Sequence, residues 1–106
     1  MMNNETIKIY YDQSLRNIVD HKTLDFGIVT AGDTKEYTFF AQNDTNAELR
    51  NVVFSVEHKE VNIINAPTAM KPGEIQELVM EWKPSVTLKE GLKTPLMIKG
   101  EELWRG

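Results

Sequence analysis

Short apolar segments with strict alternation, separated by turn signals roughly every 8–12 positions, constrain this chain most. The signals are Gly27, Ala31-Gly32-Asp33, Asn43 to Asn46, His58-Lys59-Glu60, Lys71-Pro72-Gly73, Lys83-Pro84-Ser85, Glu90-Gly91 and Gly100. In a strand, residues i, i+2 and i+4 share a face. Leu24, Phe26 and Ile28 form one such set, and Tyr37, Phe39 and Ala41 another. Val52, Phe54 and Val56 oppose Asn51, Ser55 and Glu57, and Val61 with Ile63 form a short set. Leu78, Met80 and Trp82 oppose Glu77, Glu81 and Lys83, and Leu92, Leu96 and Ile98 close the series with Thr94 between them. Half-buried antiparallel strands need this pattern. The expected fold is therefore an all-β antiparallel sandwich of about seven or eight strands. The stretch "SLRNIV", from Ser14 to Val19, is the exception: Ser14 is placed to cap one short helical turn. Pro95 interrupts the last apolar run, which predicts an edge strand or a bulge there.

A chain of 106 residues suits one core. It contains no cysteine, which excludes disulfide staples and thiolate chemistry and fits a reducing cytoplasm. The segment "MMNNETIKIYYDQ" has neither the basic nor the apolar region of a secretory signal. No apolar run reaches the roughly 20 residues of a membrane span, so no membrane association is expected. The formal charge is −4, and the twelve Lys and Arg are scattered, so nucleic acid is not an expected partner.

Three stretches resemble the ASH-type and major-sperm-protein-like immunoglobulin domains. "LDFGIVTAGDTKEYTFFAQND" is similar to their L-x-F-G-x-V strand, Gly turn and strand ending in Asn, through Leu24, Phe26, Gly27, Val29, Gly32, Phe39 and Asn43. "AMKPGEIQELVMEWKPS" is similar to their Pro-Gly turn, alternating strand and aromatic-x-Pro, through Pro72, Gly73, Leu78, Met80, Trp82 and Pro84. "GLKTPLMIKGEEL" resembles the closing strand. The resemblance covers about residues 23 to 103 and implies an immunoglobulin-like fold. Each motif also has a local reading. Gly27 lets a neighbouring strand approach, Asn43 and Asp44 bond their own backbone, Pro72-Gly73 suits a type II turn, and Pro84 ends a strand. Residues 23–106 are the expected immunoglobulin-like domain, and residues 1–22 its first strand or a docking arm. In "TIKIYYD", Ile7, Ile9 and Tyr11 alternate with Lys8 and Tyr10.

No catalytic constellation is present. His21 and His58 lie in or beside polar turns and read as solvated loop residues. No zinc ligand set exists, and Asp12, Asp20, Asp25, Asp33 and Asp44 follow no calcium-loop spacing. No serine sits in a G-x-S-x-G elbow. Asn4-Glu5-Thr6 and Asn43-Asp44-Thr45 match the glycosylation acceptor by chance. The expectation is no enzyme, no metal and no cofactor.

Apolar residues of the wrong parity carry more information. Phe40, Val53, Val79 and Met97 fall on outward positions of their strands. Clustered, such residues mark an interface. Tyr10, Tyr11 and Trp104 are aromatic residues with a polar end, a type enriched at interfaces. Tyr10, Tyr11, Phe40 and Trp104 are thus the candidate partner-binding residues. The function expected is a structural or interaction module. Small isolated immunoglobulin-like proteins of this kind resemble phage virion components, which implies a capsid decoration, neck or tail protein of a tailed phage, made in the host cytoplasm and bound to a protein lattice. The alternative is a cytoplasmic ASH-like or sperm-protein-like scaffold domain docking on a partner protein. A homo-oligomer through an edge strand or the N-terminal arm is a further expectation.

Overall fold

The computed structural model describes residues 6–104 and is an immunoglobulin-like antiparallel sandwich. Its eight strands are β1 (Ile7–Tyr10), β2 (Leu24–Gly27), β3 (Lys35–Asn43), β4 (Glu48–Val56), β5 (Val61–Asn65), β6 (Ile75–Trp82), β7 (Leu92–Thr94) and β8 (Leu96–Leu103). One layer is a four-stranded sheet in the order β1-β3-β6-β5. The opposite layer consists of two ribbons, β2 with β7 and β4 with β8. β7 and β8 are one run of chain broken at Pro95, so this run pairs first with β2 and then with β4. Pro95 lies at an edge, as expected, since β7 and β8 each have a single ladder neighbour, and it is not a bulge within one strand. It is the point where the chain changes partner, which a residue without an N–H donor permits at no ladder cost.

The alternation places the core between the layers. Ile7, Ile9, Leu24, Phe26, Leu49, Leu78, Met80 and Trp82 are all fully buried. The Phe26 ring packs edge-on against Tyr37 at 4.9 Å and tilted against Trp82 at 6.3 Å, which joins the two layers. The Tyr37 hydroxyl donates to the carbonyl of Phe26. Burial, and then the negative charge of Asp25, pushes this phenol above its ordinary pKa.

Three local expectations change. Ile28 does not join Leu24 and Phe26: it is 62% exposed, and Val29 is buried in its place. The register shifts between Asp25 and Gly27, and Gly27 takes φ +68°. This bulge inverts the parity of Ile28 and Val29. Nor does Gly27 make room for a neighbour, since a Cβ there would meet nothing within 4 Å. The tight approach belongs to Gly91, whose Cβ would lie 2.8 Å from the Gly27 carbonyl oxygen. The Ser14–Val19 stretch is not helical. Asp12 organises it instead, accepting from Ser14 Oγ (2.8 Å) and from the backbone N–H groups of Arg16 (3.1 Å) and Asn17 (3.3 Å). These bonds, led by that of Ser14, hold the Asp12 carboxyl below the usual aspartate range. The one short helical turn among the described residues is His21–Thr23, of 3₁₀ type, where Asp20 accepts from Lys22 N.

Asn43 at the end of β3 is fully buried and ties two turns together. Its Nδ2 donates to the carbonyls of Ala47 (2.8 Å) and Lys71 (3.1 Å), and its Oδ1 accepts from Thr45 N (3.1 Å) and Thr45 Oγ1 (2.6 Å). Gly73 N donates to the Asn43 carbonyl at 2.9 Å. The Lys71–Glu74 turn closes through Glu74 N to Lys71 O at 3.0 Å, with Gly73 at φ +75° as a type II turn requires. An Asn committed in this way is no glycan acceptor. Asn4 lies outside the described residues.

Candidate protein-docking surface

The outward face of the four-stranded sheet collects the apolar residues whose parity is wrong for the core. Tyr10 and Phe40 are direct cross-strand partners on β1 and β3. Because Ile7 and Ile9 point into the core, Lys8 and Tyr10 must point out. The chain after β1 then doubles back. Tyr11 N donates to Asn17 O at 2.9 Å and Val19 N to Ile9 O at 2.7 Å, which sets Ile18 beside Tyr10. Ile18 is 60% exposed, while Val19 turns inward and is buried. On β6, Glu77 faces Phe40 and Val79 faces Thr38. Val79 also faces Asn65 of β5, across a register shift that accommodates the exposed Ile64. Ile18, Tyr10, Phe40, Val79 and Ile64 thus run as an apolar band across the sheet. Cross-strand aromatic and β-branched neighbours of this kind stabilise a sheet by about 0.2–1 kcal/mol per pair, so part of the band also supports the fold.

The other two candidates lie elsewhere. Tyr11 has the opposite parity to Tyr10: it is 51% exposed and its ring meets Phe39 at 5.8 Å. Trp104 is 61% exposed just past β8, where its Nε1 donates to Glu102 Oε2 at 2.9 Å. The other oxygen of Glu102 accepts from Thr6 Oγ1 at 3.1 Å, which fixes Trp104 beside the start of β1 and away from Tyr10 at its end. Val53 and Met97 are exposed on the opposite layer, on β4 and β8. Sequence parity therefore finds Tyr10, Phe40 and Val79. It misses Ile18, which joins them only because the chain returns along β1.

The histidines are half-buried rather than freely solvated. His58 Nδ1 accepts from Glu60 N at 3.2 Å, and its ring stands edge-on to Trp82 at 6.4 Å. His21 turns its Nε2 into the protein. The aspartates serve turns or ion pairs, as in Lys8–Asp44 at 2.8 Å. Among the described residues no group of three or more His, Asp or Glu is placed to hold a metal.

Charge divides the two outer faces. On the ribbon layer acids and bases face each other across strands, Asp25 with Lys93 and Arg50 with Glu101. On the four-stranded sheet Glu36 directly faces Glu81, and Glu77 lies beside Phe40. Like charges placed directly opposite are unfavourable to the sheet.

A family model described as HYDIN/CFA65/VesB-like, Ig-like domain matches residues 17–99, which takes in β2 through β7 and the first part of β8 and leaves β1 outside. No curated protein and no solved structure matches the chain.

Proposed function

This chain belongs to the HYDIN/CFA65/VesB-like Ig-like domain family, and from that premise we propose that it is a non-enzymatic module that works by binding a protein partner. The observation that carries this reading is the apolar band on the outward face of the four-stranded sheet. Cross-strand packing accounts for only part of this band, because the strands already bury a full inner face. The half-buried aromatic pair Tyr10–Phe40 supplies rigid contact area, the type of group that dominates binding energy at interfaces.

The resemblance to ASH-type and sperm-protein-like domains, and to small phage virion proteins, extends this reading to two settings. In the first, the module attaches to a repeating lattice as a decoration, neck or tail component of a tailed-phage virion. In the second, it is a cytoplasmic scaffold domain docked on one partner. Copy number separates them, since a lattice presents the same partner surface many times.

A photo-crosslinking residue at Val79, with the same residue at Val53 as control, tests the reading in cells that make the protein. The expected result is one discrete protein adduct from position 79 and none from position 53. Mass spectrometry of the adduct then gives the partner, and its abundance gives the setting. No adduct from position 79, or equal adducts from both positions, overturns the proposal.

A further inference from the structure

We propose that the outward face of the four-stranded sheet selects a partner segment in which basic side chains flank apolar ones. This rests on the docking reading above and specifies the chemistry of the partner. The face carries two features together. One is the apolar band centred on Tyr10, Phe40 and Val79. The other is an acidic border: Glu36 and Glu81 face each other across β3 and β6, and Glu77 faces Phe40 itself. Two bases lie on this side: Lys8, paired with Asp44 at 2.8 Å, and the exposed Lys83 at the end of the β6 run, so three carboxylates still outnumber the base left over. Asn62, the β5 neighbour of Glu81, offers no compensating charge.

The contrast with the other layer gives this arrangement its meaning. There the facing register positions hold opposite charges, Asp25 with Lys93 and Arg50 with Glu101, and Arg50 also pairs with Glu48 on its own strand at 3.3 Å. The same chain leaves two carboxylates directly opposed on the face that carries the Tyr10–Phe40–Val79 band. An arrangement that costs stability and sets up a net negative field steers an oppositely charged partner. It also disfavours alternatives. A second copy docked face to face would bring the same carboxylates together. Nucleic acid and anionic lipid surfaces would be repelled. A Lys- or Arg-bearing segment places its apolar side chains on the band and its cations over Glu36, Glu77 and Glu81.

The experiment titrates ¹⁵N-labelled protein with three short peptides that alternate Leu with Lys, with Ser or with Glu. The Leu–Lys peptide should shift the amides of Tyr10, Phe40, Val79 and Glu81, and the Leu–Glu peptide should shift none of them. The double variant Glu36→Gln/Glu81→Gln should bind the Leu–Lys peptide roughly fivefold or more weakly, because desolvated charge pairs are being removed. The same variant should melt at a higher temperature, because the opposed carboxylates are gone. A carboxylate pair with a merely structural role would not raise stability and lower affinity together. The proposal falls if the Leu–Lys peptide maps to the β4–β8 face, if the Leu–Ser peptide binds as tightly, or if the double variant binds unchanged. In each of these cases an adduct from position 79 still upholds protein docking, and its absence removes both readings.

Discussion

At the scale of single residues, Asn43 and Gly91 bear the most weight. Asn43 carries no charge and performs no chemistry, yet it satisfies carbonyls from two separate turns at once. Replacing it by Ala strands those buried acceptors, at about 1–3 kcal/mol for each group left without a partner. Asn43→Ala should therefore lower unfolding stability by about 2 kcal/mol or more in urea melts. Asn43→Asp should be worse at neutral pH, because it aims a carboxylate at carbonyl oxygens. The glycines separate conformation from space. Gly73 and Gly91 both take positive φ, +75° and +79°, but a Cβ at Gly73 meets nothing while one at Gly91 meets the Gly27 backbone at 2.8 Å. Gly73→Ala should cost about 1–2 kcal/mol, the conformational term alone. Gly91→Ala must also push β2 and the Gly91 turn apart, so its melting temperature should fall clearly below that of Gly73→Ala. Equal losses would mean that the Gly27–Gly91 approach contributes nothing.

At the scale of elements, β1 is the telling case. It spans four residues, yet Ile7 and Ile9 are completely buried, and the returning segment adds Val19 to the core. A chain starting at Lys22 loses all three side chains and uncovers the edge of β3. With about 1.5–3 kcal/mol for each buried aliphatic side chain, the loss is comparable to the whole stability of a small domain. Circular dichroism should show this shortened chain largely unfolded, whereas Tyr10→Ala/Tyr11→Ala in the full chain should keep the fold. A folded, cooperative melt of the shortened chain would mean that β1 only covers the sheet. Strand positions are legible in the sequence because alternation reports burial directly, as in Tyr37-Phe39-Ala41 and Leu78-Met80-Trp82. Parity fails at Ile28 because a bulge at Gly27 consumes one residue without leaving a mark on the hydrophobic pattern. The turn at Asp12 is not legible because Ser14 and Asp12 are both capping residues, and only geometry shows which oxygen receives the N–H groups. Phe40 and Val79 are legible as outward apolar residues. The opposition of Glu36 and Glu81 is not, since it depends on the register between strands about 45 residues apart in sequence.

At the scale of the whole molecule, the two layers do different work. The four-stranded sheet carries the apolar and acidic face, while the ribbon layer with its matched charges closes the core behind it. Composition alone speaks to neither, because a net charge of −4 does not say on which side the carboxylates gather. The partner exchange at Pro95 sets the order in which the molecule can be completed. As the chain leaves the ribosome, every strand of the four-stranded sheet is present once Trp82 has emerged. Its buried side, with Leu78, Met80 and Trp82, still lacks the run from Leu92 to Leu103 that unites β2 with β4. Until that last segment arrives the growing protein holds an open greasy surface. The interval between Trp82 and Leu103 is thus the window in which a chaperone has something to hold, and in which a pause in translation would most readily lead to aggregation.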